Sequence, residues 1–143
     1  MTLYILDTDH VSLFQRKNPL ILNRIQRINN EQIAVTIITV QEQMRGWMNV
    51  INRHGNSDKL IWAYQGLFDA VKFFNTINVL NFDQVAYDMF LTLKSQKIRI
   101  GTQDLRIASV ALSVDGIVIT RNYKDFAQIP NLKLEDWTVE INN

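Results

Sequence analysis

The sequence predicts an α/β protein of three layers, in which helices cover both faces of a central, mostly parallel sheet of four or five strands. Short runs of consecutive apolar residues recur along the chain, and runs without polar alternation are typical of strands buried on both faces. Longer segments with apolar residues at three- and four-residue steps separate these runs, which indicates amphipathic helices. Strands that alternate with helices form parallel sheets through right-handed crossovers.

Length and composition narrow the class of protein. With 143 residues, 47% of them hydrophobic, we expect one domain over residues 1–143 with a single core. No apolar segment is long enough for a membrane span and no signal peptide is evident, so we expect a cytoplasmic protein without membrane association. The lack of Cys and the presence of only two His exclude disulfides, thiolate zinc sites and imidazole clusters. The net charge of +1 gives no indication of nucleic-acid binding.

Four or five strands are predicted, and the first is the most informative. Its four large apolar residues run directly into two carboxylates, Asp7 and Asp9. In open α/β sheets the functional site lies outside the carboxyl ends of the strands, so we expect Asp7 to lie at such a site. The predicted strands, in chain order, are 3–6, 33–38, 77–80, 117–120 and an edge strand within 132–141.

Helices are predicted between these strands. Thr8 or Asp9 serves as the N-cap of the first helix, and Thr39 as that of the third. The third and fourth helices are expected to form a protruding hairpin. The predicted helices, in chain order, are 8–17, 19–29, 39–51, 60–74, 83–96, 102–112 and a single turn in 121–126.

Acidic residues follow several of the predicted strands. Asp7 and Asp9 follow the first strand, Glu42 lies one turn after the second, Asp104 begins a helix rich in small residues, and Asp125 follows the fourth strand. All of these positions belong to one end of a parallel sheet. Clustered carboxylates repel one another unless a divalent cation is present. Because Mg²⁺ and Mn²⁺ prefer oxygen ligands, the pattern indicates metal-assisted hydrolysis of phosphodiesters.

Most of these acids also have a purely structural interpretation. Asp9 can be an N-cap, which we favour over a role as a primary metal ligand. Glu42 stands three residues after Thr39, as in a capping box. Asp104 lies in a first helical turn and can complement the helix dipole, while Asp125 can be an ordinary solvated acid. The convergence of the set is therefore stronger support for a site than any one member.

Six segments stand out in order and spacing: Tyr4 to Asp9, Thr39 to Glu42, Gly101 to Ala108, Thr120 to Phe126, Pro130 to Leu132 and Glu135 to Trp137. Together they resemble the motifs of PIN-domain ribonucleases of the VapC toxin type. The resemblance covers nearly the whole chain, and its order and spacing are more specific than any single motif. It implies a PIN-like fold and a Mg²⁺- or Mn²⁺-dependent endoribonuclease that cleaves RNA, is neutralised by a small antitoxin protein and forms a homodimer.

The resemblance assigns roles by position. Asp7, Glu42 and Asp104 match the main acidic residues of the family, both as catalytic residues and as metal ligands. The fourth acidic position of the family falls on Asn122 or on Asp125. Asn122 would be a neutral substitute for the acid. Asp125 is included among the catalytic candidates.

Other residues are weaker candidates. Asp9 stands where the family commonly has Asn, so a hydrogen-bonding position has gained a charge. Thr8 and Thr120 can orient water or phosphate, although hydroxyls at strand ends more often cap the backbone. A basic rim for RNA phosphates can come from Lys97, Arg99, Arg106, Arg121 and Lys124. Most large apolar residues of the helix hairpin should be core, and any exposed excess is a partner surface: Trp47, Met48, Phe68, Phe73 and Phe74.

Two alternative functions stay open. Asp7 and Asp9 also fit the opening Asp-x-Asp of haloacid-dehalogenase-like phosphatases, as nucleophile and general acid. A phosphatase of that class would give Glu42 no role, and the later acidic motifs of the class are missing from this sequence. The other alternative is a non-catalytic PIN-like module that binds RNA or a protein.

Overall fold

The computed structural model of the chain describes residues 1–140. Its five strands form one sheet in the order β3-β2-β1-β4-β5, and every neighbouring pair is parallel. The predicted α/β fold with a central parallel sheet is thus confirmed, with five strands. The strands are β1 (Tyr4–Leu6), β2 (Ile33–Thr36), β3 (Asn78–Leu80), β4 (Ile117–Ile119) and β5 (Lys133–Glu135).

The helices fall close to the predicted segments. None of those within residues 1–140 is long and apolar enough to cross a membrane. The α-helices are α1 (Thr8–Gln15), α2 (Pro19–Gln26), α3 (Ile37–Arg53), α4 (Lys59–Phe74), α5 (Gln84–Ser95), α6 (Thr102–Ser113) and α7 (Tyr123–Phe126), and a short 3₁₀ helix covers Asn30–Gln32.

Alternate residues of the central strands enter two separate cores. Ile5 and Val118 pack with α5 and α6 on one face of the sheet. Leu6 and Ile119, the next residues of the same strands, pack with α1, α2 and α4 on the other face. All four side chains are fully buried. Burial on both faces explains why these strands lack polar alternation in the sequence.

The central strand β1 lies at a switch point of the sheet. The chain moves from β1 to β2 and β3 on one side, then returns to place β4 on the other side of β1. The pairing continues past the strand, because the Asp7 N–H donates to the Ile119 carbonyl at 3.0 Å. Parallel α/β sheets open a crevice at the carboxyl ends of strands at such a point.

The second strand is shorter than predicted. It ends at Thr36, and α3 begins at Ile37, because the Thr36 hydroxyl accepts the backbone N–H of Thr39 at 3.4 Å. The prediction of Thr39 as the N-cap of this helix was wrong, since Thr39 lies inside the first turn. The apolar pair Ile37 and Ile38 gave no sign of the boundary.

The predicted edge strand at the end of the chain is also shorter. β5 ends at Glu135, and Trp137 is fully buried against the sheet without belonging to a strand. Val139 is exposed. The last member of the predicted alternation, Ile141, lies outside the described residues.

Helices α3 and α4 pack against each other as the predicted hairpin. Gly66 makes their close approach possible, because a Cβ at this position would overlap the Trp47 ring. The expectation that most large apolar residues of the hairpin are core is only partly met. Phe74 is buried, whereas Met48 and Phe68 are 55% and 58% exposed.

Candidate active site

A pocket of about 390 Å³ lies at the carboxyl ends of β1 and β4. Four of the five predicted acids line it, together with several of the weaker candidates. Its lining residues are Asp7, Thr8, Asp9, Glu42, Asp104, Arg121 and Asn122.

Asp7 is the residue that connects β1 to α1. It is the N-cap of α1, and its Oδ1 accepts the backbone N–H of His10 at 2.9 Å. The prediction of Thr8 or Asp9 as the cap was therefore wrong, since both lie inside the first turn. The carboxylate is mostly buried yet reaches the pocket, so one side chain both begins the helix and lines the site.

Glu42 is held by the Thr8 hydroxyl, which in turn bonds to the Thr39 hydroxyl. Thr8 Oγ1 donates to Glu42 Oε1 at 2.8 Å and lies 3.0 Å from Thr39 Oγ1. Because a hydroxyl has one proton, the Thr39 hydroxyl must be the donor in the second bond. The capping-box interpretation of Glu42 was wrong, since Thr36 caps α3. Thr8 orients Glu42 rather than caps backbone.

Asp104 carries the clearest electrostatic perturbation of the site. It lies in the first turn of α6, where the helix dipole favours its charge. Even so, its pKa is raised from 3.8 to about 6, first by burial and then by the charges of Glu42, Asp7 and Asp125. The carboxylates are thus close enough to repel one another without a counter-ion.

Asn122 and Asp125 share the region after β4. Asn122 lines the pocket, and its side-chain N–H donates to Asp125 Oδ2 at 3.0 Å. Asp125 is therefore not a solitary solvated acid, and it lies behind Asn122. Thr120 is fully buried and its hydroxyl accepts the Asn122 backbone N–H at 2.9 Å, the backbone role expected of a hydroxyl here.

Asp9 forms an ion pair across the pocket. Arg121 Nε donates to Asp9 Oδ2 at 2.8 Å, and Arg121 Nη2 contacts the same oxygen. The pair is half-exposed, and it raises the pKa of the Arg121 guanidinium. The charge at Asp9 is thereby compensated within the chain, unlike the charges of the three central acids.

His10 is a residue of this region that we did not predict from the sequence. It is fully buried, its Nδ1 lies 3.3 Å from Asp7 Oδ1, and its Nε2 accepts the backbone N–H of Trp137 at 3.3 Å. The available signal was its position three residues after Asp7, which places it beside the N-cap. A lone histidine after an acidic motif is too common to single out.

The donor set fits a divalent cation of the Mg²⁺ or Mn²⁺ type. Asp7, Glu42 and Asp104 offer only oxygen atoms, and their mutual repulsion favours a positive ion between them. Within residues 1–140, no group of three His, Cys, Asp or Glu side chains is arranged closely enough to hold a metal ion by itself. Mg²⁺ keeps several waters and uses few carboxylates, so waters and substrate phosphate would supply its remaining ligands.

The predicted basic rim is represented in the pocket by Arg121. Arg106 donates to Gln103 at 2.8 Å and lies over the Phe90 ring, which fixes it beside the site rather than in it. The contribution of the other predicted cations to RNA binding stays a prediction.

Comparison with known proteins places the chain among characterised relatives. It is 31% identical over 140 residues to ribonuclease VapC1 of Haemophilus influenzae strain R2866, covering 95% of this chain and 98% of the relative. It also resembles the solved structure of VapBC-1 from nontypeable Haemophilus influenzae, with a TM-score of 0.77, 28% identity and coverage of 96% and 100%. The solved structure of DNA-bound VapBC from Salmonella typhimurium has a TM-score of 0.76 and 25% identity, covering 96% of this chain and 99% of that one.

No protein-family model matches the sequence. The similarity to ribonuclease VapC1 nevertheless exceeds 30% identity over nearly the whole of both chains. The fold is also the same, and the pocket lies at the motifs that predicted it. The chain therefore belongs to the VapC ribonuclease family.

Proposed function

We propose that this chain is an endoribonuclease that hydrolyses RNA phosphodiester bonds and acts as the toxin of a toxin–antitoxin pair. The observation that carries the proposal is the convergence of Asp7, Glu42 and Asp104 in one pocket. The named activity of the VapC1 relative, a ribonuclease, supports it. Residues 1–143 are proposed to act as a single PIN-like nuclease domain in the cytoplasm.

We also propose Mg²⁺ or Mn²⁺ as the cofactor, held by Asp7, Glu42 and Asp104. When bound, such an ion supplies activation of water and stabilisation of negative charge on phosphate oxygens. The chain's own contribution is to hold the three carboxylates in one pocket and to orient them. Asp7 is fixed by the backbone of α1, and Glu42 by the Thr8 hydroxyl.

The fourth acidic place is proposed to be shared by Asn122 and Asp125. Asn122 presents a neutral amide to the pocket, and Asp125 holds it through the bond from its side-chain nitrogen. Asp125 also adds negative potential at Asp104. In this proposal Asp125 acts through Asn122 and through its charge.

Arg121 is proposed to meet the RNA backbone at the mouth of the pocket. It is half-exposed and lines the pocket, where its guanidinium pairs with Asp9 and still reaches solvent. A planar guanidinium can bind phosphate oxygens in pairs.

RNA cleavage by the purified chain tests the proposal. The wild type should cleave RNA only with Mg²⁺ or Mn²⁺, and Asp7→Asn or Asp104→Asn should lower the rate by roughly a hundredfold or more. Asp115→Asn is the matched control, because Asp115 is exposed and lies before β4, at the opposite end of the sheet. Equal rates for all four proteins would overturn the assignment of the pocket.

Two other functions are less well supported. The phosphatase alternative needs Asp9 as a general acid, yet Asp9 is paired with Arg121 and the relatives are named ribonucleases. Formation of an aspartyl-phosphate at Asp7 would favour that alternative. Metal binding without any cleavage of RNA would favour the non-catalytic module.

A small antitoxin is the proposed partner, because the similar solved structures are VapBC complexes. Expression of the chain alone should inhibit growth of a host cell, and Asp7→Ala should relieve the inhibition. Harmless accumulation of the wild-type protein at high level would contradict the toxin role while leaving the nuclease activity to be judged by the RNA assay.

A homodimer is also proposed. Helix α4 exposes an apolar stripe at three- and four-residue steps that lines an open groove. Exposed apolar surface of this kind marks protein contacts. The stripe consists of Ile61, Tyr64, Phe68 and Val71. A dimer in solution that Phe68→Glu dissociates would assign the stripe to a second copy, whereas an unaffected dimer would place the contact elsewhere.

A further inference from the structure

The tautomer of His10 follows from its buried contacts. Nε2 lies 3.3 Å from the backbone nitrogen of Trp137, which can only donate. Nε2 must therefore be the acceptor, and in a neutral imidazole the proton then resides on Nδ1. The Asp136 carboxylate, 3.6 Å from Nε2, is itself engaged, since its Oδ1 accepts the N–H and hydroxyl of Thr138.

The protonated Nδ1 faces Asp7. It is buried, lies 3.3 Å from Asp7 Oδ1 and makes no hydrogen bond of ordinary geometry within residues 1–140. A buried donor without a partner is uncommon in proteins, because it has lost its water without gaining a hydrogen bond. A contact that is too poorly aligned in the unliganded protein can become a hydrogen bond when the carboxylate turns toward a ligand.

We propose that His10 is a positioning residue for Asp7, and that its Nδ1–H completes a hydrogen bond to Asp7 Oδ1 when a divalent cation binds on the pocket side. The His10 backbone N–H already holds Oδ1 at 2.9 Å, so both contacts act on the same oxygen. The other oxygen, Oδ2, is then left for the cation. Hydrogen bonds that orient ligand carboxylates in this way are a regular part of metal sites.

The imidazole is itself anchored by the end of the chain. Trp137 is fully buried, and its indole N–H donates to Glu135 Oε1 at 3.1 Å. Its backbone N–H fixes the ring through Nε2. The segment after β5 therefore sets the orientation of a carboxylate after β1. This inference rests on the proposed metal dependence, because the cation is what draws Asp7 toward the pocket.

Magnetic resonance of the two imidazoles tests the proposal in the wild type. The chain has only His10 and His54, and His54 lies at the end of α3, outside the pocket, where it serves as an internal control. We expect ¹⁵N spectra to show His10 as the Nδ1–H tautomer, with a change at Nδ1 on addition of Mg²⁺ and none at His54. An Nε2–H tautomer for His10 would overturn the proposal.

The titration with Mg²⁺ can give two further informative results in the same spectra. If the backbone amide of Asp104 responds to Mg²⁺ while His10 Nδ1 does not, the metal site stands and the role of His10 falls. If neither responds, the proposed metal dependence itself falls, and the role of His10 with it.

Two substitutions separate positioning from packing. In His10→Asn the amide nitrogen can take the place of Nδ1 beside Asp7, whereas in His10→Gln the amide oxygen can take the place of Nε2 and accept from Trp137. We expect His10→Gln to weaken Mn²⁺ affinity by about tenfold or more, and His10→Asn to weaken it by only about threefold. Calorimetric titration with Mn²⁺ measures both.

A merely structural histidine makes the opposite prediction. Mn²⁺ affinity would then follow thermal stability, and the variant that keeps the Trp137 contact, His10→Gln, would bind as well as the wild type or better than His10→Asn. That order of affinities would overturn the proposal. Should either variant fail to fold, the wild-type spectra with Mg²⁺ decide the question alone.

Discussion

The acidic pocket and the α3/α4 hairpin are the two regions where this chain departs from an ordinary globular surface, and they do so in opposite ways. The pocket gathers carboxylates whose repulsion raises the pKa of Asp104. The hairpin exposes apolar side chains, with Ile61 80% and Phe68 58% accessible. In the proposed function, a divalent cation would complete the first region and a protein surface would cover the second. Substitutions in the pocket should therefore change chemistry, and substitutions in the hairpin should change packing.

Glu42→Gln should have the largest effect, and only on activity. Gln retains an acceptor for the Thr8 hydroxyl, and Thr36 rather than Glu42 caps α3, so the free energy of unfolding should change by less than about 1 kcal/mol. Loss of the charge should lower RNA cleavage by roughly a hundredfold or more. Cleavage assays and thermal unfolding measure the two effects separately.

The control for this substitution is Glu31→Gln, at an exposed position of the 3₁₀ helix. It should leave both quantities unchanged. Wild-type cleavage by Glu42→Gln would show that the charge at position 42 has no chemical role.

Gly66→Ala should have the largest effect on stability. The added methyl group would overlap the Trp47 ring, which packs edge-on against Trp62 at 5.5 Å. Overpacking of this kind costs about 1–3 kcal/mol. Gly46→Ala in α3 is the matched control, because its Cβ would meet open space, and the gain in helix propensity should stabilise it by up to about 1 kcal/mol.

Chemical denaturation of both glycine variants gives the comparison. Equal stabilities for the two would mean that the close contact of α3 with α4 is absent in solution. Cleavage per folded molecule should be unchanged in each, because neither glycine lines the pocket.

The pH dependence of stability should reveal the repulsion in the pocket. The pKa of Asp104 is about 6 in the folded protein and 3.8 for an ordinary Asp, as in the unfolded chain. Between these two pH values the folded protein keeps a proton on Asp104 that the unfolded chain has lost. The contribution of Asp104 to the free energy of unfolding is therefore fully present below about pH 4 and is lost as the pH rises through about 6. Because the carboxyl is partly exposed, the loss should be roughly 1–2 kcal/mol.

Subtraction isolates this contribution from the other titrating groups. The difference between wild type and Asp104→Asn, measured without divalent ions from pH 4 to 7, should show the decline. A flat difference for Asp104→Asn would contradict the raised pKa.

Asp9→Asn should have the smallest effect. It removes one negative charge from the pocket and frees the Arg121 guanidinium for phosphate, so RNA binding should strengthen by roughly two- to threefold, less at high salt. Asp88→Asn, an exposed acid of α5 outside the pocket, is the control. Weaker binding by Asp9→Asn would mean that Arg121 needs its partner to reach the substrate.

The two regions also differ in how far the sequence predicted them. Apolar runs such as Ile117 to Ile119 predicted the buried strands. The positions of Asp7 and Glu42 after strands, and of Asp104 at the start of a helix, predicted that these three acids would meet. Strand order cannot be read from local patterns, because it depends on contacts between residues that are distant in the sequence.

Local competition between caps explains most of the errors. Helix α1 has three acceptable N-caps in sequence, Asp7, Thr8 and Asp9, and α3 has two, Thr36 and Thr39. The first residue of each set is the cap in the structure, because strand pairing between distant segments decides where each helix can begin. The same limit hid the role of His10, whose partner Trp137 lies at the other end of the chain. Exposure on α4 was equally invisible, since an apolar stripe is typical of both a core and an interface.

The most direct test of the account is the effect of a divalent cation on thermal unfolding of the wild type and of Asp104→Asn at pH 7. If carboxylate repulsion is relieved by Mg²⁺ or Mn²⁺, the wild-type Tm should rise by roughly 3–10 °C at ten to a hundred times the Kd. Asp104→Asn should melt higher than the wild type without the ion and respond much less to it. Identical melting curves for both proteins, with and without either ion, would contradict a metal site in this pocket.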